Sequence, residues 1–364
     1  MKNRNDIKLE ELAQCCIGGV PIGLYAPFEI HKELGIIKAR IKDFSFNGPA
    51  DLRLNILKPD KNINDKKNNT DSNIINSSLS KTVQTAFLKD TQTQLKERLG
   101  HIESLLSDPA ANCLMKKILI RDDNISFVPL DSGFLFISHH KNNALLLLDE
   151  GLSLKRKGPD SHCTVIMNFT VINAVIVLIS MNLALRGGLF VHGTGVNYNG
   201  YGCLFLAPSG GGKTTLSMQS FPGAVLSDDG IIIRKHGDHY KLYPTPFRQR
   251  PGGDIHKWQW CESPVQLKAV FILEKGLTTR VLPIPRFHAL RLLMNAFTHF
   301  FMYMSPMHKL RVFDFWRELS LNLPISCLRW RKGTDYLPII LDVFYKGGYK
   351  DENNRERTEM ACSI

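Results

Sequence analysis

The residues whose types and spacing most clearly suggest ligand binding or catalysis lie in a glycine-rich stretch, GCLFLAPSGGGKTTLS, at positions 202–217. It fits the phosphate-binding pattern G-x-x-x-x-G-K-[ST] with one departure, because Ala207 stands where the pattern has its first glycine. Backbone N–H groups of such a loop converge on phosphate oxygens, and the helix that follows adds its positive amino-terminal end. The stretch therefore predicts a binding site for a nucleotide di- or triphosphate, with a structural turn as the alternative.

Individual side chains of this loop are expected to have separate tasks. Lys213 would reach the outer phosphates, and the Thr214 hydroxyl would complete the coordination shell of Mg²⁺. ATP and Mg²⁺ are thus the expected cofactors. The predicted nucleotide-binding residues are Ser209, Gly210, Gly211, Gly212, Lys213, Thr214 and Thr215.

Two adjacent carboxylates, Asp228 and Asp229 in SDDG, follow an apolar strand shortly after the loop. One can hold the metal ion, for which Asp229 is the candidate together with Thr214, and the other can accept a proton from an attacking hydroxyl. Successive strand side chains point to opposite faces, so one of the two can be structural, and which is the base stays open. Asp-Gly is also a hairpin signal, and a tight turn is therefore the alternative.

His192, in FVHGTG, lies on a strand that leads into the loop. Beside the carboxylates it is a candidate catalytic residue, which would tune an aspartate or steady charge at the transferred phosphoryl group. The alternative is a histidine that only completes a strand. With Lys213, Asp228 and Asp229 it forms the predicted catalytic set.

Arginine and tryptophan residues beyond the carboxylates are candidates for substrate contacts. Arg248 and Arg250, in PFRQRPGG, would orient a phosphate or an acidic substrate group, with exposed loop arginines as the alternative. Trp258 and Trp260 would line a substrate groove or pack in the core.

Strands and helices in alternation must position these residues, which predicts a mixed α/β (α+β) fold. Residues 1–158 are predicted as a small α+β domain, with a disordered insertion at 58–81 that has almost nothing to bury. Residues 159–346 are predicted as the loop-bearing domain, and 347–364 as a flexible tail.

The stretch CTVIMNFTVINAVIVLISMNLAL, residues 163–185, is long enough to span a bilayer. Asn168, Asn173 and Asn182 interrupt it, and an amide in hydrocarbon is costly without a partner. A buried core helix is therefore the prediction, and a transmembrane helix the alternative.

Composition narrows the class of protein. The 364 residues are 43% hydrophobic and 22% charged, as in an ordinary globular protein. The formal net charge of +12 is scattered along the chain rather than gathered in a stripe, which disfavours nucleic-acid binding. The eight cysteines form no CxxC pair and the amino-terminal region has no apolar leader segment, so reduced thiols and a cytoplasmic location are expected.

The order LFVHGTGV, GCLFLAPSGGGKTTLS and AVLSDDGIII resembles the kinase domain of HPr kinase/phosphorylase and of HPr-kinase-like proteins. It is also similar to phosphoenolpyruvate carboxykinase, whose nucleotide site belongs to the same superfamily. The resemblance covers residues 187–247 most specifically, and extends more loosely to about residue 345. The sequence lacks the PGRN-like segment of HPr kinase/phosphorylase. The resemblance therefore does not extend to phosphorylase activity or to HPr as substrate.

The resemblance implies a P-loop kinase domain that transfers the γ-phosphoryl group of ATP to a hydroxyl, most often of serine. The acceptor would belong to a peptide, a small protein or a small molecule, with a peptide as first choice. Relatives form oligomers, so the resemblance allows a homo-oligomer. The competing hypothesis is a catalytically inactive nucleotide-binding sensor or recognition module.

Overall fold

A computed structural model of the chain describes residues 9–58, 125–130, 132–138, 142–148, 160–220, 223–248, 259–296 and 301–346. Most of the predicted insertion (59–81), the predicted tail (347–364), Arg250 and Trp258 lie outside these ranges. The mixed α/β character predicted from the sequence is confirmed, since two sheets and a small set of helices make up the described part.

The first sheet contains six short strands in the order β1-β2-β3-β6-β5-β4. Only the β2–β3 and β3–β6 pairs are parallel, and the others are antiparallel. A short helix, α1 (Gly35–Ile41), connects β2 to β3. The strands are β1 (Glu10–Ile17), β2 (Val20–Ala26), β3 (Leu52–Leu57), β4 (Ile125–Leu130), β5 (Gly133–Ser138) and β6 (Asn143–Leu148).

The second sheet and its connections carry the predicted site residues that the structure describes. Its strands are β7 (Gly188–Tyr198), β8 (Tyr201–Leu206), β9 (Val225–Ser227), β10 (Gly230–His236), β11 (His239–Tyr243), β12 (Val265–Lys275), β13 (Arg280–Pro283) and β14 (Ile325–Trp330). They run in the order β11-β10-β7-β8-β12-β14-β13, and β9 pairs with β7. Strands β8, β12 and β14 are mutually parallel. A further pairing of β11 with the start of β12 closes five of the strands into a ring.

Four helices accompany this second sheet. Helix α3 (Lys213–Met218) follows the glycine loop, and α6 (Leu337–Lys346) follows the last strand. Helices α4 (Arg286–Ala296) and α5 (Pro306–Asn322) lie between β13 and β14 in sequence, and they pack against each other. The side chain of Ser305 caps α5 by accepting a hydrogen bond from the backbone N–H of His308, and Pro306 occupies the first helical position.

The long apolar helix α2 (Asp160–Leu185) is the core element of the fold. Its stretch Ile166–Leu185 has a mean hydropathy of 1.9 and is long enough to cross a membrane, but 83% of that window is buried inside the protein. It packs on α1, on β7 and on strands of the first sheet. One buried hydrophobic cluster therefore runs through both sheets, and the domain boundary at 158/159 stays a prediction.

Asn168 shows how α2 accommodates an amide in the core. Its Oδ1 accepts a hydrogen bond from the Ile37 N–H at 3.0 Å, and its Nδ2 donates to the Glu33 carbonyl at 2.6 Å. The side chain is fully buried, so these two backbone groups supply the partners that water would otherwise provide.

We expect Asn168→Leu to lower the free energy of unfolding by about 2 to 4 kcal/mol, because both backbone groups lose their partner. Urea denaturation measures this loss. Asn173→Leu is the control, since Asn173 is half-buried on the same helix with no side-chain hydrogen bond to the described residues, and should change little. Equal effects of the two substitutions would contradict the described packing of α2.

Candidate functional site

The pairing register of β7 brings the predicted site segments to one edge of the second sheet. Gly193 of β7 lies opposite Leu206 of β8, directly before the glycine loop. On its other side, His192 lies opposite Gly230 of β10, directly after Asp229. The Gly193 N–H also donates to the Asp229 carbonyl at 3.1 Å. The loop entrance, His192 and the carboxylate pair therefore meet although they are separate in sequence.

His192 and Asp229 are in direct contact. The imidazole Nδ1 lies 3.0 Å from Asp229 Oδ1, and both side chains are half-buried. A carboxylate in this position fixes the orientation of the imidazole ring. The two side chains thus form a hydrogen-bonded pair of the kind that can take part in proton transfer.

The two adjacent aspartates lie in the two-residue connection between β9 and β10, and their environments differ. Asp228 is 2% exposed, whereas Asp229 faces partly into solvent. The hydroxyl of Thr194 donates to the Asp228 carbonyl at 3.3 Å. Next to the pair, the Gly230 N–H and the Ser227 hydroxyl both donate to the carbonyl of Phe247, each at 3.2 Å. The segment that ends in Arg248 is thus bound to both residues that flank the aspartates, at the end of β9 and the start of β10.

The glycine loop is tightly wound and depends on glycine at defined positions. Gly210 and Gly212 have φ values of +74° and +104°, a region that side chains disfavour. The Gly211 N–H donates to the Pro208 carbonyl at 3.0 Å, so this amide closes a turn. A Cβ at Gly211 would lie 2.5 Å from that of Ala207, so the residue that departs from the motif packs against the loop itself. Beside Gly210 there is open space.

Lys213 is buried and folds back onto its own loop. Its Nζ donates to the carbonyls of Ala207 at 2.7 Å and Pro208 at 3.2 Å. Burial lowers the pKa of this amine below its ordinary value of 10.5, while the charges of Asp229 and Asp228 act in the opposite direction. Lys213 and both aspartates therefore share one electrostatic site. The side chains of Thr214 and Thr215 lie half-buried at the start of α3, and Ser209 is exposed.

Aromatic residues from the end of the chain support the loop. A Cβ at Gly212 would lie 3.3 Å from Trp330 Cζ3, so the indole ring covers the point where α3 begins. Tyr336 packs edge-on against Trp330, and its hydroxyl lies 2.6 Å from that of Tyr198 and 2.8 Å from that of Ser220. The Tyr336 hydroxyl also bonds to the Leu216 carbonyl at 3.4 Å. No local sequence pattern signals this network, because its members are far apart in the chain.

The side chain of Arg248 contacts Glu262 and Trp260. Its guanidinium makes two hydrogen bonds of 2.9 Å to the carboxylate of Glu262, and it lies 4.7 Å above the Trp260 ring. Its substrate role stays a prediction, as does that of Arg250, which lies outside the described residues. Trp260 packs against this arginine.

Metal binding at this site would depend on few protein ligands. The described residues contain no group of three or more His, Cys, Asp or Glu side chains that could hold a metal ion. Thr214 and Asp229 supply oxygen atoms, which are the ligands that Mg²⁺ prefers. A nucleotide-bound Mg²⁺ needs only one or two such protein ligands, since phosphates and water provide the others.

Comparison with known proteins gives one family. Residues 160–330 match the family described as SynChlorMet cassette protein ScmC. The matched region is just under half of the chain, and it runs from the start of α2 to the end of β14. No curated protein matches the sequence significantly.

Substitutions at two glycines of the loop should separate backbone strain from crowding. We expect Gly210→Ala to lower the free energy of unfolding by about 1 kcal/mol, because only its positive φ is strained. Gly212→Ala should cost roughly 2 to 3 kcal/mol, since the added methyl group also presses on Trp330. Urea denaturation of both variants measures the difference. An equal loss would show that the Trp330 ring does not confine the loop.

Proposed function

We propose that this protein is an ATP- and Mg²⁺-dependent kinase of the HPr-kinase-like type, with a P-loop kinase domain that phosphorylates a hydroxyl group. The observation that carries the proposal is the His192–Asp229 contact of 3.0 Å beside the glycine loop. The charges of both aspartates act on the pKa of Lys213 in that loop. A proton acceptor and a phosphate-binding loop are the two parts that phosphoryl transfer to a hydroxyl requires.

The loop has the features that a bound nucleotide needs. Space is open beside Gly210, and the first N–H groups of a helix such as α3 have no acceptors within the helix itself. The Lys213 amine can exchange its two carbonyl partners for phosphate oxygens, which are better acceptors for a cation. Ser209, Gly210, Gly211, Gly212 and the threonines after Lys213 would surround these oxygens.

A bound Mg²⁺ ion would neutralise charge on the phosphates during transfer. Thr214 and Asp229 would hold it, since one Asp229 oxygen contacts His192 and a carboxylate has a second oxygen that can bind metal. The charges of Asp229 and Asp228 would help to keep Lys213 charged, because both oppose the lowering of its pKa by burial. Asp229 would thus act on the metal ion and on the lysine, and Asp228 on the lysine.

The His192–Asp229 pair would take the proton of the acceptor hydroxyl as the hydroxyl oxygen bonds to the γ-phosphorus. The bond from that phosphorus to the bridging oxygen breaks in the same process, and ADP leaves with the electron pair. Lys213 would stabilise the negative charge that develops on the departing and transferred groups.

A serine-containing peptide is the first acceptor to test. The matching family is described as a cassette protein, and a cassette is a set of genes carried together. Peptides encoded beside this gene are therefore the natural candidates, with free serine as the small-molecule comparison.

Transfer of labelled phosphate from ATP, together with nucleotide binding, tests the proposal. We expect His192→Gln and Asp229→Asn to lower turnover by about 100-fold or more while nucleotide affinity stays nearly unchanged. Lys213→Ala should weaken nucleotide binding as well. His236→Gln is the matched control, because this histidine lies on the same sheet and contacts Tyr243.

Two results would contradict the kinase. Full turnover in His192→Gln would remove the proposed proton acceptor from the reaction. Tight nucleotide binding that Lys213→Ala weakens, without phosphorylation of any acceptor, would instead support a nucleotide-binding sensor or recognition module.

Nucleotide affinity should also depend on alkaline pH through Lys213. Because the pKa of its amine lies below 10.5, binding at pH values above that lowered pKa requires uptake of a proton. The affinity should therefore fall by up to about tenfold per pH unit, beginning below pH 10.5. Lys213→Met should bind more weakly at neutral pH and lack this fall. Titration calorimetry measures both profiles, and parallel profiles would overturn the assignment to Lys213.

A further inference from the structure

Helices α4 and α5 expose large apolar side chains to solvent. Phe287 on α4 is 83% exposed, and on α5 the values are 63% for Met307, 59% for Leu310 and 55% for Leu321. The α5 positions are three and eleven residues apart, close to one and three helical turns, so they lie on one side of the helix. Side chains of this size at such exposure, on two helices that pack against each other, are candidates for a contact surface.

The same surface is cationic. Arg286, Arg291, Arg311 and Arg317 are all exposed on these two helices. Helix α4 contains no acidic residue in its sequence. On α5, Asp314 is half-buried, and Glu318 is bound by the amine of Lys235 from β10. The four exposed arginines thus outnumber the two partly exposed acidic residues of these helices, and one of those two is already paired.

A groove lies where the start of α4 meets the end of α5. It has a volume of about 340 Å³, and its lining combines apolar side chains such as Pro283, Leu321 and Ile325 with the polar side chains of Arg286, Ser320 and Asn322. This volume is within the range of sites that hold small ligands, and it can accept one or two large side chains. An arginine and a leucine at its border place charge and apolar area next to each other.

We propose that an arginine–apolar surface docks a peptide segment rich in Asp and Glu that carries large apolar side chains. This surface consists of the groove lined by Arg286 and Leu321, of Phe287 next to Arg286 on α4, and of Arg317 one turn before Leu321 on α5. The acidic groups would pair with the arginines, and an apolar side chain would enter the groove. Complementary charge would set the choice of partner, and apolar burial would supply most of the affinity.

Two other occupants fit the observations less well. A second copy of the chain would bring the same arginines against this face, and facing like charges oppose association. An anionic bilayer would satisfy the arginines, but a membrane-binding face lays its apolar side chains into the lipid and has no use for a groove. A peptide uses the charge, the exposed side chains and the groove together.

The docking surface is separate from the glycine-loop site. Ile325 at the groove begins β14, and Trp330 at the other end of β14 covers Gly212. Five residue steps along a strand span roughly 16 Å, so the two sites lie at opposite ends of β14. Docking goes beyond the proposed kinase function, and it would stand even if the loop bound nucleotide without transferring phosphate.

Fluorescence anisotropy with a labelled synthetic peptide, rich in Glu and carrying Leu and Phe, tests the proposal on the full chain. We expect saturable binding that weakens with added salt and is lost when the Glu residues are replaced by Gln. The double variant Arg286→Glu with Arg317→Glu should weaken binding at least about tenfold. Lys32→Glu with Lys38→Glu, two exposed lysines elsewhere, gives the same change of net charge and should bind normally.

A second pair of variants tests the groove. Leu321→Ser should weaken peptide binding, whereas Leu277→Ser should not, although Leu277 is 90% exposed. Circular dichroism confirms that each variant is folded.

Three outcomes would overturn the inference. One is peptide binding that the arginine and Leu321 variants leave intact. Another is binding to phosphatidylglycerol vesicles but not to the peptide, and the third is self-association in sedimentation that the arginine variants abolish.

Discussion

The candidate site depends on the position of strand β7 between two partners. One edge of β7 pairs with β8 and fixes the start of the glycine loop, and the other pairs with β10 and fixes Asp229. A slip of one residue in either register would turn His192 to the opposite face of the sheet and end its contact with Asp229. The distance between His192 and Asp229 is thus set by the backbone pairing along the whole of β7.

That strand is in turn supported by helix α2. The helix buries its apolar surface against β7 and the first sheet together, and Asn168 fastens it to the segment around α1. The first sheet also reaches the second directly, since Arg234 of β10 donates to the Gly18 carbonyl at 3.0 Å. The amino-terminal sheet therefore belongs to the support of the site, because it shares the core on which β7 rests.

Local patterns in the sequence were informative where the structure itself is local. The strand, glycine loop and helix around Lys213 could be predicted because residues 201–218 form them consecutively. The burial of Asp228 and Asp229 differs as expected, but both residues lie in the connection between β9 and β10, so strand alternation is not the reason. The contacts of Trp330 with Gly212 and of Arg248 with Glu262 could not be predicted. They depend on how distant segments pack, which no local spacing encodes. Hydrophobicity alone also could not decide the environment of α2, since a core helix and a membrane helix share that property.

The contact between Trp330 and the glycine loop has a consequence for the order of biosynthesis. Gly212 leaves the ribosome well before Trp330 and Tyr336, and at common elongation rates the interval is roughly 6 to 24 seconds. During this time the loop can wind, but the rings that cover its helix start do not yet exist. The nascent chain therefore acquires its finished loop only after β14 and Tyr336 have been synthesised, and a chain truncated before β14 lacks it.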